Sequence, residues 1–404
     1  MKVGIIGGGA SGFFAAISVK ENHPSAEVII FEKSSKLLSK VRASGGGRCN
    51  VTHHCASIEA LATGYPRGGK VLKHAFRIFN DQDTMQWFAS RGVRLLTQDD
   101  NCVFPESQTS QSIIDCLVRE ATRLGVKIRL NHGIKAIQPT TNRFVLAFSD
   151  QRLSVEAVDT VMIASGGSPR RKGLDWLEKL GHQIVEPVPS LFTFNMPNEA
   201  VTALMGVAVQ QAMVGIQGTS LKSSGPLLIT HWGMSGPAIL KLSAFGARLL
   251  YDKAYDFCLQ INWTDHTHHD EIAKILTKLI QEHPHKQLSS IKPFGLPERL
   301  WLYLLDKIAL ATQKKWSELG KKGLHQLVNI LANDVYQVQG KTTFKEEFVT
   351  CGGVSLTSID LATMQSRACP GLYFCGEVMD IDGITGGYNF QACWTTAFIA
   401  AKLG

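Results

Sequence analysis

Nowhere does this chain run apolar for the roughly 20 residues that a membrane-spanning helix needs, so no crossing segment is expected. Its nine cysteines, an odd number, include no C-x-x-C pair and no disulfide-like spacing. They read as reduced thiols, several of them buried, rather than as a disulfide framework. Internal repeats and low-complexity linkers are missing. The N-terminus is already a core strand, which argues against a cleaved signal peptide and for a cytoplasmic location. His266, His268 and His269 lack a carboxylate or thiol spaced to complete a metal site. His53, His54 and Cys55 read the same way, so no metal is expected. The G-x-S-x-G elbow of a hydrolase is not met in His231-Trp232-Gly233-Met234-Ser235-Gly236-Pro237, because Pro237 takes the last glycine's place. A strand running into a helix start with proline near its first position is the better reading, leaving His231 as a candidate substrate-facing acid.

At 404 residues and 44% hydrophobic, the chain can bury the cores of two or three domains. The net charge of +8 suits a polyanionic partner and equally a dinucleotide enzyme with a basic surface. Taken singly, Arg170-Arg171-Lys172, Lys314-Lys315 and Lys321-Lys322 read as solvated faces.

The chain opens with a strand, Lys2 to Ile6, that runs straight into Gly7-Gly8-Gly9-Ala10-Ser11-Gly12. Gly7, Gly9 and Gly12 fit G-x-G-x-x-G, the apolar run Phe13 to Ile17 reads as a helix face, and a second strand, Glu27 to Phe31, ends at Glu32. That order is the dinucleotide fingerprint. The first glycine permits a tight turn, the second a close approach to pyrophosphate, and the third helix–strand packing, while the acid meets a ribose hydroxyl. The backbone N–H groups at the helix start, Ala10 and Ser11 included, carry partial positive charge toward the phosphates, and Lys33 follows the acid.

A second glycine-rich stretch runs from Lys40 to Thr52 and contains Ser44-Gly45-Gly46-Gly47-Arg48-Cys49-Asn50. Three adjacent glycines lose much conformational entropy when fixed, which close approach to a flat or charged ligand would explain. Arg42 and Arg48 can neutralise a pyrophosphate, and Asn50 offers both donor and acceptor. Cys49 reads in two ways: a small buried filler, or a thiol whose surroundings depress its pKa or hold it as a proton donor. The third stretch is Tyr373-Phe374-Cys375-Gly376-Glu377, then Gly386-Gly387-Tyr388-Asn389-Phe390-Gln391. A carboxylate here suits the sugar-alcohol chain of a flavin, and a helix N-terminus after Gly387 suits the electron-rich O2 edge of its reduced ring. A nicotinamide-only enzyme has no use for this second site, so the cofactor expected is FAD.

Between these ends, helical periodicity marks His74 to Ser90 and Ser110 to Leu124, and a small β-meander is expected over 126–155. Thr160 to Ala164 reads as a buried strand entering Ser165-Gly166-Gly167. Beyond Pro187-Val188-Pro189 the texture turns to β, and from about His268 to Val338 it is helical. The expected division is a discontinuous nucleotide domain, 1–188 with 340–404, interrupted by a β-rich substrate domain, 189–265, and a helical subdomain, 266–339.

Gly7, Gly9, Gly12 and Glu32, the Ser44–Thr52 loop, Ala164 to Gly167, Gly376-Glu377 and Gly386 to Gln391 together resemble one family. It is the BaiN/RdsA-like group of FAD-dependent oxidoreductases, and the similarity extends to Thr230–Pro237 and Thr350-Cys351-Gly352-Gly353-Val354. The resemblance implies an α/β fold, a glutathione-reductase-like Rossmann FAD domain carrying an inserted β-barrel and a helical subdomain. It also implies a bile-acid-like double-bond reductase, an aminoacetone-oxidase-like enzyme or a ribosomal RNA dihydrouridine synthase. Ser165 and Glu377 stand where flavoproteins more often have threonine and aspartate, and both keep the polar function. The leading expectation is reduction of an activated C=C bond with NAD(P)H as transient reductant, with uridine in large-subunit ribosomal RNA as one candidate substrate. The rivals are a small-molecule reductase or amine oxidase using the same flavin, and a flavin-dependent RNA-binding or sensor protein without turnover. Such a reduction needs a protein acid to protonate the second carbon. Cys49 is the first candidate, with His231 and Tyr388 behind it. Trp301 and Trp316 read as core more than as stacking platforms for bases.

Overall fold

The fold is taken from a computed structural model that describes residues 1–342 and 349–404. They form two units, Met1–Ser190 with Phe344–Gly404, and Leu191–Thr343.

The first unit is built on a seven-stranded sheet. Its strands run in the order Ile359–Asp360, Gln365–Ser366, Leu372–Phe374, Thr160–Ile163, Lys2–Ile6, Glu27–Phe31 and Lys127–Arg129. From Leu372–Phe374 onward neighbours are parallel, with Val3 opposite both Val28 and Thr160, and Val161 opposite Leu372. Lys2–Ile6, Glu27–Phe31, Thr160–Ile163 and Leu372–Phe374 read as mostly apolar runs because both faces are covered. The first helix, Ala10–Asn22, is buried from Ala10 to Val19, and the last helix, Tyr388–Ala400, is buried on nearly every side, with Gln391, Thr395 and Thr396 as its buried polar residues. Helices with apolar residues on every side belong inside. These two meet, with the Phe14 and Trp394 rings 5.4 Å apart.

Two sequence expectations need correction in this unit. Lys127–Arg129 is not part of a meander but the edge strand of the parallel sheet, and Lys127 pairs with Glu27 across it at 2.7 Å. An exposed edge strand and a meander strand share the same alternation, so periodicity alone does not separate them. The antiparallel trio is instead Ile134–Pro139, Phe144–Phe148 and Glu156–Val158. The helix expected from His74 to Ser90 is two helices, Gly69–Ala75 and Asp81–Ala89. Asn80 starts the second with a capping box: its side chain accepts from the Gln82 and Asp83 amides, and Asp83 accepts from the Asn80 amide.

The second unit carries a seven-stranded antiparallel sheet. The order is Asp334–Gln339, Asp256–Asn262, Ala208–Ile216, Lys222–Thr230, Gly233–Ser235, Thr193–Asn195 and Lys341–Thr342. The expected helical run to Val338 stops at Ala332, and Asp334–Gln339 pairs with Asp256–Asn262. Buried Asp334 explains the switch: it accepts from Trp263 Nε1 (2.9 Å), Lys307 Nζ (2.6 Å) and the Tyr336 hydroxyl (2.5 Å). Helices His269–Glu282, Glu298–Lys307 and Gly320–Ala332 share one core with the sheet, and the fully buried Trp263, Trp301 and Trp316 belong to it.

Candidate functional site: two glycine turns at two helix starts

The opening glycines have three different reasons to be glycine. A Cβ on Gly7 would fall 2.3 Å from the Ala164 carbonyl oxygen, and Gly7 has φ +116°. A Cβ on Gly12 would fall 1.9 Å from the Gly7 carbonyl oxygen, so the helix could not lie against the strand. At Gly9 a Cβ would meet nothing within 4 Å: here the backbone faces open space. Gly9 is also the N-cap of the first helix, which has no side-chain cap and no acid in its first turn. A helix start with its N–H groups unanswered is an anion site. Glu32 accepts from the Gly8 amide (2.8 Å) and from the amide and hydroxyl of Ser34 (2.8 and 2.9 Å). Those bonds fix the carboxylate beside the turn and leave lone-pair capacity for a ribose hydroxyl. Lys33 is exposed next to it.

In the second stretch, Gly45, Gly46 and Gly47 all have positive φ, and Cβ atoms on Gly46 and Gly47 would point into open space. The arginines are used locally. Arg48 lies over the Phe104 ring at 4.1 Å and donates to the Gly45 carbonyl, while Arg42 is exposed and donates to Gln111. Ser44 donates to the Val41 carbonyl. Asn50, its amide oriented by its bonding partners, turns its nitrogen to the carbonyls of Thr52 (2.9 Å) and Val103 (3.3 Å). Cys49 is fully buried in the core of the first unit. Burial pushes its thiol up to about 12, against a bond with Ser44, so the depressed-pKa alternative is corrected: the thiol holds its proton.

The third stretch forms the other half of the cradle. Gly386 and Gly387 have φ +113° and +96°, and Gly387 is the N-cap of the last helix, again with no side-chain cap and no acid in the first turn. A Cβ on Gly387 would fall 2.4 Å from the Thr52 carbonyl. Side chains hold this turn in place. His53 bonds the Gly386 carbonyl through Nδ1 (3.0 Å) and stacks on Tyr388 with ring centroids 4.6 Å apart. The Tyr65 hydroxyl donates to the Tyr388 carbonyl (2.6 Å), and Asn389 closes its own loop with two bonds to Gly383. Arg67 makes a buried ion pair with Asp382, whose carboxylate also accepts from the Ser190 hydroxyl. Phe390 stacks on Trp394, and Trp394 donates to the Val51 carbonyl.

Gly376, with φ +76°, approaches Ser11 so closely that a Cβ would fall 2.0 Å from its Oγ. Glu377 accepts from Lys40 Nζ (2.6 Å) and from the Thr350 amide (3.0 Å), beside Gly167. The buried Thr350 hydroxyl has no partner, while Ser165 is exposed and a Cβ on Gly166 would meet open space. An unpartnered buried hydroxyl, open glycine faces and two uncapped helix starts in one unit fit a dinucleotide with a second polar arm.

The first unit thus holds every expected cofactor residue from Gly7 to Phe390, together with Cys49 and Tyr388. His231 is elsewhere, exposed in the insert at the turn after Lys222–Thr230. Pro237 starts the helix Pro237–Phe245, as the strand-to-helix reading expected. Tyr388 is buried, which pushes its phenol well above the ordinary tyrosine range. Sequence reasoning gave no cofactor or catalytic role to Lys40, His53, Tyr65, Arg67, Thr350 or Asp382. Only their positions inside glycine-rich segments or next to them hinted at a role.

A family model described as the HI0933-like protein Rossmann domain matches residues 1–403. The 3-dehydro-bile acid delta(4,6)-reductase of Clostridium scindens is 25% identical over 99% of this chain and 98% of its own. The ribosomal RNA dihydrouridine synthase of Escherichia coli is 29% identical over 98% of this chain and 96% of its own. Among solved structures, 3-ketosteroid delta1-dehydrogenase from Sterolibacterium denitrificans has a similar fold, with a TM-score of 0.52 at 12% identity over 99% of this chain and 98% of that one.

Proposed function

This chain belongs to the HI0933-like Rossmann-domain family and is an FAD-dependent oxidoreductase, and from that premise we propose that it reduces the C=C bond of a uridine in ribosomal RNA with electrons from NADH or NADPH. The observation that carries the reading is the pair of glycine turns, each opening onto an uncapped helix N-terminus within one unit. Two relatives of nearly equal length, one named a delta(4,6)-reductase and the other a dihydrouridine synthase, support C=C reduction as the shared chemistry.

Gly7, Gly9, Gly12 and the first helix start would hold the pyrophosphate, Glu32 the adenosine ribose, and Glu377, Ser165 and the Thr350 hydroxyl the polar chain of the flavin. The last helix start, after Gly386 and Gly387, would face the ring edge that gains negative charge on reduction. When bound, FAD supplies the hydride donor. The protein excludes water, orients the base and delivers a proton. A uridine reaches such a site only when unstacked from its neighbours. For the proton we assign Tyr388, whose phenol is held protonated beside the Gly386-Gly387 turn. Cys49, sealed in the core, is assigned to packing.

The purified flavoprotein, given NADPH and unmodified ribosomal RNA without oxygen, should add two hydrogens to one uridine, read by mass spectrometry of the nucleosides. A steroid enone reduced in its place, with the RNA untouched, would favour the second reading, which the bile-acid relative supports. Tyr388→Phe should cut turnover by about 100-fold or more, the usual worth of a positioned acid, with flavin reduction by nicotinamide intact. Cys49→Ala should cost about 1 kcal/mol of stability and leave turnover near wild type; the reverse pattern restores Cys49 as the acid.

A further inference from the structure

The insert gathers positive charge in one place and leaves it unanswered. Backbone bonds clip the loop at 284–288 to the segment 312–317: Leu288 N–H to the Lys314 carbonyl (2.8 Å), Trp316 N–H to the Lys286 carbonyl (3.0 Å) and Ser317 N–H to the Pro284 carbonyl (3.0 Å). Lys286, Lys314 and Lys315 are thereby neighbours although 28 residues separate the first two. Just past the turn Trp316–Glu318, the helix Gly320–Ala332 begins with Lys321 and Lys322 in its first turn, with no acid there and no side-chain cap. Cations at a helix N-terminus oppose its dipole, so folding alone gives no reason for them.

Among the described residues none of these five lysines has a carboxylate partner, whereas nearby Lys292 and Lys307 pair with Glu298 (3.8 Å) and Asp334 (2.6 Å). Lys286, Lys315, Lys321 and Lys322 are exposed and Lys314 half-buried. The acids of the stretch 283–325 are Glu298, Asp306 and Glu318; the Glu318 carboxylate accepts from the Lys315 amide. The patch is also bare of grease. No large apolar side chain is exposed between 283 and 325 among the described residues, and Trp301 and Trp316 are fully buried, stacked on each other at 6.3 Å. A membrane surface would call for apolar side chains to insert beside the lysines, and base stacking would call for exposed rings. Dense, solvated, purely cationic character matches a phosphate backbone, which is held by charge without reading sequence.

We propose that Lys286, Lys314, Lys315, Lys321 and Lys322 form the surface on which the protein holds the phosphate backbone of its RNA substrate. The proposal rests on the RNA reading above and adds where that RNA is gripped.

The test measures anisotropy of a labelled ribosomal RNA fragment against salt, for the wild-type holoenzyme and for a variant with all five lysines replaced, Lys286→Ala through Lys322→Ala. Each lost phosphate contact lowers the slope of log affinity against log salt by about 0.7–0.9. The variant's slope should therefore fall by about 3.5–4.5, and its affinity at low salt by tenfold or more. Bleaching of its flavin by NADPH and its melting temperature should match wild type, and the corresponding Lys→Arg variant should bind as wild type does. A steep wild-type slope retained in the alanine variant overturns the patch and leaves the RNA reading standing. A wild-type protein that ignores RNA yet reduces a small enone, or that prefers anionic vesicles to RNA, overturns both.

Discussion

The two glycine turns each open onto an uncapped helix start, and they are built by different means. At the first, backbone packs on backbone: Gly12 against the Gly7 carbonyl, and Gly7 against Ala164. Glu32 is bonded to the Gly8 amide, and the rest of the geometry follows from a missing Cβ at two positions. At the second, only Gly387 is pressed by backbone, from Thr52, and the turn is otherwise held by His53, Tyr65, Arg67, Asp382 and Asn389. A turn fixed by what is absent is rigid and local. A turn fixed in part by His53, Tyr65 and Arg67, each more than 300 residues earlier, can be loosened one bond at a time.

That contrast orders the expected effects. Gly12→Val should be the most damaging, since its side chain cannot avoid a carbonyl 1.9 Å from the Cβ position. We expect no folded, flavin-bearing protein, read from soluble yield and the visible spectrum. A soluble yellow variant would show the first turn to be as yielding as the second. Arg67→Met comes next. Removing one partner of a buried ion pair costs about 3–5 kcal/mol, because the Asp382 carboxylate stays buried with Ser190 as its remaining partner. The loss should appear in the melting temperature and more strongly in the FAD dissociation constant, with the chain still folded. Loss of stability with unchanged FAD affinity would separate the Arg67 pair from the second turn.

The smallest effect is a pH dependence. His182 packs edge-on against Phe374, the strand end that leads to Gly376. It is buried, donates from Nδ1 to the Leu177 carbonyl (2.9 Å) and accepts at Nε2 from the Ser366 hydroxyl (2.7 Å). Burial lowers its pKa below the ordinary histidine value of 6.5. Below 6.5 the unfolded chain therefore binds a proton that the folded chain resists. Stability from His182 is fully present above about 6.5 and is lost as pH falls through the lower, folded value. His182→Gln should flatten the fall of melting temperature between pH 7 and 5. An unchanged profile would assign that fall to other groups.

Legibility in the sequence followed the same division. Gly7, Gly9, Gly12 and Glu32 could be read because their spacing along the chain is their geometry in space. The boundaries of Gln111–Arg123 were legible for the same local reason. Lys127–Arg129 and Asp334–Gln339 were misread because their partners, Glu27–Phe31 and Asp256–Asn262, are remote and periodicity does not name a partner. At the site, Asn389 was read as a ligand group, yet its amide is spent on Gly383, and Arg48 on Phe104 and Gly45. Nothing near Arg67 announces Asp382, 315 residues away. Cys49 shows the reverse case: its neighbours suggested reactivity, whereas its burial in three dimensions raises the pKa of its thiol.

The last helix and the strand Leu372–Phe374 have a consequence for synthesis. That strand ends the parallel run of the sheet, beside Thr160–Ile163, and the helix packs on the first helix of the chain. The first turn and the second are 378 residues apart, from Gly9 to Gly387, so the first stays half a site until the second has been translated. A flavin held by both turns would therefore be captured only after the later segment has been made.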